Sequence, residues 1–573
     1  MPVQNSDVSD IFNKVADLLE IEDESPFRIR AYRNAARIIA NLPQNVSDRI
    51  ESESDLTELR GIGKDLAGKI KEIVETGSLA QLEELEGKTP SGLSQLMKLE
   101  GIGPKRVKAL NRDLGVTSLK DLEEAARQGK VKEVKGFGEK TQQKILEELE
   151  AFEEQEARIK LIEAEQRAKS LVDYLKEGKG IKEITVAGSY RRRKETVGDL
   201  DILVTCRKGA SVMDRFVHYE DVKKVVSKGT TRATVVLRSG LHVDLRVVPQ
   251  VSYGAALHYF TGSKAHNIAV RKLGVKKNLK INEYGVFKGD ERIAGKTEKE
   301  VYDQVDLPYI EPELRENRGE LEAAGKGRLP RLIGLDDLRG DLHAHTTETD
   351  GHATLEEMAN AAKDYGHDYL AITNHSKKVT MAHGLDAGRL AEEIEEIDQL
   401  NGKLADIVLL KGIEVDILED GSLDLPDDIL KELDVVVCSV HYQRRLSREK
   451  MTERVLRAMD NPYTNIFAHP TGRLINARDP YEIDLERIIR GAKERGCFLE
   501  INAHPDRLDL SDVHCKMAKD MGLKLAISTD AHSIADLNLM QYGIDQARRG
   551  WVEPDDVINT RDLKQLRKLL KRT

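Results

Sequence analysis

The chain has 573 residues, 39% hydrophobic and 33% charged, with a formal net charge of −10. That length exceeds what one hydrophobic core can organise and implies several domains. No apolar run approaches the roughly 18 residues of a membrane span, and the polar, acidic opening MPVQNSDVSD is no secretory signal. A cytoplasmic, nucleoid-associated protein with no membrane partner is expected. Cys206, Cys438, Cys497 and Cys515 form no CxxC pair, which excludes a thiolate zinc site and fits a reducing compartment. The charge is sorted along the chain. Residues 188–277 hold 18 Lys and Arg against 7 Asp and Glu, whereas residues 331–573 hold 33 against 45. A basic block able to neutralise phosphates precedes an acidic one, and 11 of the 15 histidines lie at or beyond His343.

Residues 1 to about 150 read as helices, with apolar positions at helical spacing in IFNKVADLLE and AYRNAARIIANL. Three segments share one pattern, LRGIGKDLAGKI, LEGIGPKRVKAL and VKGFGEKTQQKI. Each sets a Gly-x-Gly turn before a helix: Gly61 and Gly63, Gly101 and Gly103, Gly136 and Gly138. Such a turn presents backbone N–H groups to a phosphate without reading a base edge, so DNA binding independent of sequence is expected. Another amphipathic helix follows over about 155–178.

Near Ile181 the periodicity changes to β-branched alternation in ITVAGSY, DLDILVTC, TRATVVLRSG and LHVDLRVVP, with a hairpin turn at Ser239-Gly240. Asp199 and Asp201, two apart on a strand, face one side. Asp244 lies on a second strand. Three converging carboxylates can hold two Mg²⁺ or Mn²⁺ ions about 3.5–4 Å apart, as two-metal phosphoryl transfer requires. Gly188, Ser189, Arg192, Gly198 and nearby N–H groups are placed to cradle a triphosphate. Arg246 is assigned to the DNA. The stretch EPELRENRGELEAAGKGRLP reads as a linker.

From Leu338 onward, seven apolar strand-like runs alternate with helical segments, and each ends in His, Asp or Glu. That alternation predicts a parallel barrel with its site at the C-terminal strand ends. His343, His345, Asp350, His375, Glu414, His441, His469, Asp530 and His532 form a set suited to two or three Zn²⁺, Mn²⁺ or Fe²⁺ ions. Glu414 is the candidate bridge, and His504 is either an outer ligand, a phosphate contact or a rim residue.

The run GSYRRR–GDLD–VDLR, continued by Tyr259-Phe260-Thr261-Gly262-Ser263, Asn267 and Arg271, resembles the family X DNA polymerases. That resemblance implies that Tyr259, Phe260, Thr261 and Gly262 contact the incoming sugar, Asn267 the base and Arg271 the template side. Lys264 stands where the family's beta member carries an acidic residue, and is expected to add a cation to the dNTP pocket. The Gly-x-Gly repeats resemble helix-hairpin-helix motifs. PFRIRAYRNAA and GIGKDLAGKIKEIVETG resemble the family's small lyase domain, with Lys69 at the Schiff-base position. A lysine among cations is expected to have a depressed pKa there. Asp65 and Arg28 depart from that domain's pattern. The histidine-rich half resembles the polymerase and histidinol phosphatase (PHP) family, which implies 3′–5′ exonuclease, 3′-phosphatase or abasic-site endonuclease activity.

The expected organisation is multidomain. An all-α lyase-like domain spans 1–85 and a helix-hairpin-helix region 86–178. An α+β nucleotidyltransferase palm with its nucleotide-selecting subdomain spans 179–310, a linker 311–337, and a (β/α)7-type barrel 338–573. Short-gap filling on gapped or nicked duplex from dNTPs, beside other repair enzymes, is the expected function. Untemplated terminal transfer remains an alternative.

Overall fold

A computed structural model describes the chain except residues 1–4, 23, 41–45, 52–54, 60, 89–92, 97–101, 156–157, 179, 207–208 and 572–573. Gly101 therefore lies outside the described residues. Two compact units, residues 1–157 and 158–573, are each taken by themselves.

The first unit is helical. Asn5–Ile21 buries Val8, Phe12, Val15 and Leu19 at helical spacing, and Phe12 meets Tyr32 of Pro26–Ala40 edge-on at 5.4 Å. Lys64–Thr76 buries Leu66, Ala67, Ile70 and Ile73 into the same core. The glycine turns repeat in geometry as well as in sequence. Gly61 and Gly136 have φ of 107° and 94°, a region that favours glycine. Gly63 and Gly103 cap Lys64–Thr76 and Pro104–Leu114 with nearly identical φ/ψ of −88°/175° and −91°/176°.

The second unit opens with Leu161–Lys176, whose stripe Leu161, Ala164, Ala168, Leu171 and Leu175 packs on Leu200, Ile202 and Val204 of the sheet. This helix, expected in the helix-hairpin-helix region, belongs to the palm because its apolar face needs that sheet. Five strands follow in the order Ile181–Val186, Asp199–Cys206, His242–Val247, Arg232–Leu237, Val222–Lys228. The second and third are parallel, with Asp201 opposite Asp244. The other neighbouring pairs are antiparallel. The hairpin turns at Gly240, φ 86°, as its sequence predicts.

Helices Tyr253–Thr261 and Lys264–Lys276 and a three-stranded meander, Lys280–Asn282, Gly285–Lys288 and Glu291–Ala294, follow this sheet. The expected linker 311–337 is structured. Leu314 and Ala324 join the core of Val270, Val286 and Tyr302. Arg315 is fully buried, its Nη1 2.6 Å from Glu298 Oε1. Composition signalled a solvated stretch, but ion pairs carry these charges into the interior.

The barrel has seven parallel strands in chain order, from Gly340–Ala344 to Leu525–Ser528, bridged back by Ala344 and Ala531. Every strand matches a run foreseen in the sequence. Four of the intervening helices start where Thr354, Asp386, Ser447 and Asp484 accept hydrogen bonds from the first turn. Ile475, Leu508 and Tyr542 of the barrel share the palm's hydrophobic core.

Candidate active sites

The palm pocket, about 480 Å³, is lined by Asp199, Asp201, Gly188, Ser189, Arg192, Tyr259, Phe260, Gly262, Lys264, Asn267 and Arg271, all expected, and by Arg158 and Lys194, which were not. Gly188 has φ 65°, and a Cβ there would sit 3.0 Å from Asp201 Oδ2, so a larger residue in this turn would press on the carboxylate. Burial, with Asp199 and Asp244 nearby, pushes the Asp201 carboxyl up to about 7. Crowded carboxylates of this kind fit divalent cations.

Asp244 is held by Thr234 Oγ1 at 2.5 Å, Arg232 Nη2 at 2.9 Å and Arg246 Nη2 at 3.0 Å. Arg246, assigned to the DNA from sequence, thus orients Asp244 and lies 4.3 Å over the Phe260 ring. Arg192, assigned to the triphosphate, donates to the Thr261 carbonyl at 2.5 Å and to Glu316 at 3.0 Å, holding the pocket wall. Thr261 is buried, its hydroxyl taken by Arg191. Asn267 donates to the Tyr259 carbonyl at 2.6 Å. Gly198 packs against Arg158, which is tied to Thr196 at 2.9 Å. Lys194 belongs to the basic run RRRK that the sequence displayed; Arg158 had no such signal.

All nine expected barrel residues converge. Three overlapping groups can each surround a cation: His345, Asp350, His375 and His532; His343, His345 and Asp530; His375, Glu414 and His441. Glu414 is central, 2.7 Å from His375 Nδ1, 2.9 Å from His469 Nε2 and 3.6 Å from His343 Nε2. His375 Nδ1 and Glu414 Oε2, although close, are not aligned to hydrogen-bond each other, and His343 Nε2, His345 Nδ1 and Asp350 Oδ1 are also buried without a partner. Buried polar atoms are rarely left so, and a shared set of divalent ions satisfies them. His469 and Asp530 adopt positive φ of 29° and 56°, backbone strain typical of functional positions.

Outer contacts orient these imidazoles. His343 Nδ1 lies 2.7 Å from Glu500 Oε1, which aims Nε2 inward, and His441 Nδ1 lies 3.3 Å from Asp416 Oδ2. Neither carboxylate was foreseen, although both sit in runs the sequence singled out, Asp416 two residues beyond Glu414. Burial opposes charge on His375, but Glu414 and Asp350 outweigh it and push it up to about 10. Burial and the neighbouring His375 and His532 drive His345 down to about 3. His504 stays outside the three groups, its Nδ1 facing the Asp506 N–H at 3.3 Å.

In the first unit, Lys69 Nζ is 2.5 Å from Asp65 Oδ2 and 5.4 Å from the Tyr32 ring. Burial acts to lower its pKa, but Asp65 and Tyr32 outweigh it and raise it. The expected depression is absent because Asp65 stands where a cation would be needed. A Cβ at Gly63, Gly103, Gly136 or Gly138 would meet nothing within 4 Å, leaving open space before these turns.

Family models match along the chain: a helix-hairpin-helix domain over 3–79, a SAM-like helix-hairpin-helix tandem over 93–151, the DNA polymerase beta palm over 158–252 and thumb over 256–316, and the PHP domain over 341–504. The chain is 37% identical over 574 residues, 100% of each protein, to DNA polymerase/3′-5′ exonuclease PolX of Bacillus subtilis strain 168. Its last part is 34% identical over 244 residues to a probable phosphatase of Thermoanaerobacter sp. strain X514, covering 40% of this chain and 94% of that protein. A probable phosphatase of Acetivibrio thermocellus is 32% identical over 202 residues, 34% and 78% of the two chains. Among the described residues no helix is long and apolar enough to cross a membrane.

Proposed function

Because the chain belongs to the family X DNA polymerases that carry a PHP domain, we propose that it extends DNA 3′ ends from dNTPs at the palm and trims them 3′ to 5′ at the barrel. The observation that supports this reading is that one unit holds both a pocket lined by Asp199 and Asp201, with Asp244 paired to their strand, and a histidine-rich cluster able to surround cations.

At the palm, Asp199, Asp201 and Asp244 would hold Mg²⁺ or Mn²⁺. Such ions lower the pKa of the attacking 3′-hydroxyl and neutralise the departing pyrophosphate. Ser189, Lys264 and Arg271 then orient the nucleotide, and Tyr259 and Phe260 wall its sugar. Arg192 acts on that wall, and Arg246 and Arg232 fix the Asp244 carboxylate on the strand beside Asp201. At the barrel, the nine clustered residues would hold two or three Zn²⁺, Mn²⁺ or Fe²⁺ ions, which supply hydroxide near neutral pH and clamp a phosphate oxygen. Glu500 and Asp416 fix the ligand tautomers. The glycine turns of the first unit grip a gapped or nicked duplex through its phosphates, which suits short-gap repair synthesis.

The test is a gapped duplex with Mn²⁺, with and without dNTPs. Asp199→Ala should abolish extension and keep degradation, and His343→Ala the reverse. Either variant abolishing both would refute two independent sites. Equal extension with and without a template strand would replace gap filling by terminal transfer.

A further inference from the structure

Three arginines gather beside the barrel cluster and are used by nothing described so far. Each comes from the loop after a different strand: Arg444 beyond His441, Arg478 beyond His469, and Arg507 beyond Phe498–Asn502. Arg444 Nη2 and Arg478 converge on one acceptor, the Gly472 carbonyl, with Arg478 Nε and Nη2 at 3.1 and 2.8 Å. Gly472 itself turns back on His469, its N–H 2.8 Å from that carbonyl. Arg507 Nε lies 3.5 Å from Asp530 Oδ2. The trio thus forms a continuous cationic edge running from two cluster residues to solvent, where Arg478 is exposed.

The charges are poorly compensated. Among the described residues neither Arg444 nor Arg478 makes an ion pair with a carboxylate, and Arg444 Nε is buried with no partner. Burial, Arg444 and Arg507 bring Arg478 down to about 10. Two guanidinium groups sharing one carbonyl, with a third close by, repel one another unless an anion joins them, and guanidinium forks match phosphate oxygens in pairs. The surrounding block is acidic on balance, 33 Lys and Arg against 45 Asp and Glu over residues 331–573, which sets this basic edge apart from its block's net charge.

We propose that Arg444, Arg478 and Arg507 form a subsite for a backbone phosphate of a polynucleotide strand, next to the phosphate being cleaved. The assignment rests on the exonuclease reading of the barrel. The cluster handles the reacting phosphate, and the arginines hold a neighbouring one, so the favoured substrate is a strand with several phosphates.

The experiment compares wild type, Arg478→Gln and Arg478→Lys in the full chain on two substrates, a single-stranded oligodeoxynucleotide and the dinucleoside monophosphate dTpdT, whose one phosphate is the scissile one. In Arg478→Gln, the oligonucleotide KM should rise about tenfold with kcat within about twofold. Cleavage of dTpdT should be unchanged, and the dependence of log KM on log salt should be shallower by about 1. Arg478→Lys should recover most of the KM. Template-directed extension at the wild-type rate would show that the variant is folded. Equal losses on both substrates, a fall in kcat alone, or an unchanged KM would overturn the subsite. Wild type releasing no mononucleotide from either substrate would bring down the exonuclease reading, and the subsite with it.

Discussion

Arg192 of the palm and Arg549 of the barrel donate to the same oxygen of Glu316, at 3.0 and 3.2 Å. Arg549 also reaches Asp512 at 2.6 Å and the Arg192 carbonyl at 2.7 Å. Burial alone would push Glu316 up, but Arg549 and Arg192 outweigh it and hold the carboxyl at about 2. The wall of the nucleotide pocket is therefore braced from the barrel.

Removing the shared carboxylate should be costly, because it strands buried cations. Glu316→Ala is expected to lose about 3–5 kcal/mol of stability in urea denaturation. It should also impair dNTP binding more than 3′-end trimming, since Arg192 would no longer be anchored against the Thr261 carbonyl. A loss below about 1 kcal/mol would show that the pair is solvated and the brace unimportant.

Lys264 is exposed and lines the palm pocket. An exposed charge pair is worth up to about 1 kcal/mol, so Lys264→Ala should weaken dNTP binding by up to about fivefold. The difference should shrink at high salt. Titration of nucleotide onto a gapped-DNA complex measures it, and equal affinities would remove Lys264 from nucleotide binding.

Lys69 is paired with Asp65 at 2.5 Å, which keeps it charged. If this amine attacks an abasic-site aldehyde, Asp65→Asn should release free amine and accelerate borohydride trapping severalfold at pH 7.5, and Lys69→Ala should abolish it. Trapping that survives Lys69→Ala unchanged would assign the chemistry elsewhere or nowhere.

The barrel was legible because its strands are short buried runs and their ends carry metal-ligand chemistry, so composition and function pointed to the same positions. Asp199 and Asp201 were legible as pocket-lining residues for a similar reason, since spacing along one strand fixes their common face. What stayed hidden depends on neighbours brought by the fold. Glu500 and Arg158 gain their roles only through His343 and the palm pocket, far away in the chain. The region 311–337 looked solvated because its charges pair with partners such as Glu298. Arg246, expected on the DNA, reaches Asp244 two residues earlier on its own strand, a same-face contact that its charge alone did not signal.

Glu393 offers a pH signature within the barrel. It is 3% exposed, Oε1 accepts from the Asn374 amide and Oε2 has no partner. Burial pushes its carboxyl up to about 8, against 4.5 for the ordinary group. The folded chain therefore keeps a proton that the unfolded chain has released. That contribution to stability is complete below about pH 4.5 and is lost as pH rises through about 8. Glu393→Gln imitates the protonated acid at every pH and should cancel this slope. Relative to wild type, the variant should gain on the order of 3–5 kcal/mol between pH 5 and pH 8. Urea denaturation of both proteins at pH 5, 6.5 and 8 measures the difference. Parallel profiles would mean that Glu393 is ionised in the folded chain, with a counter-ion beside it.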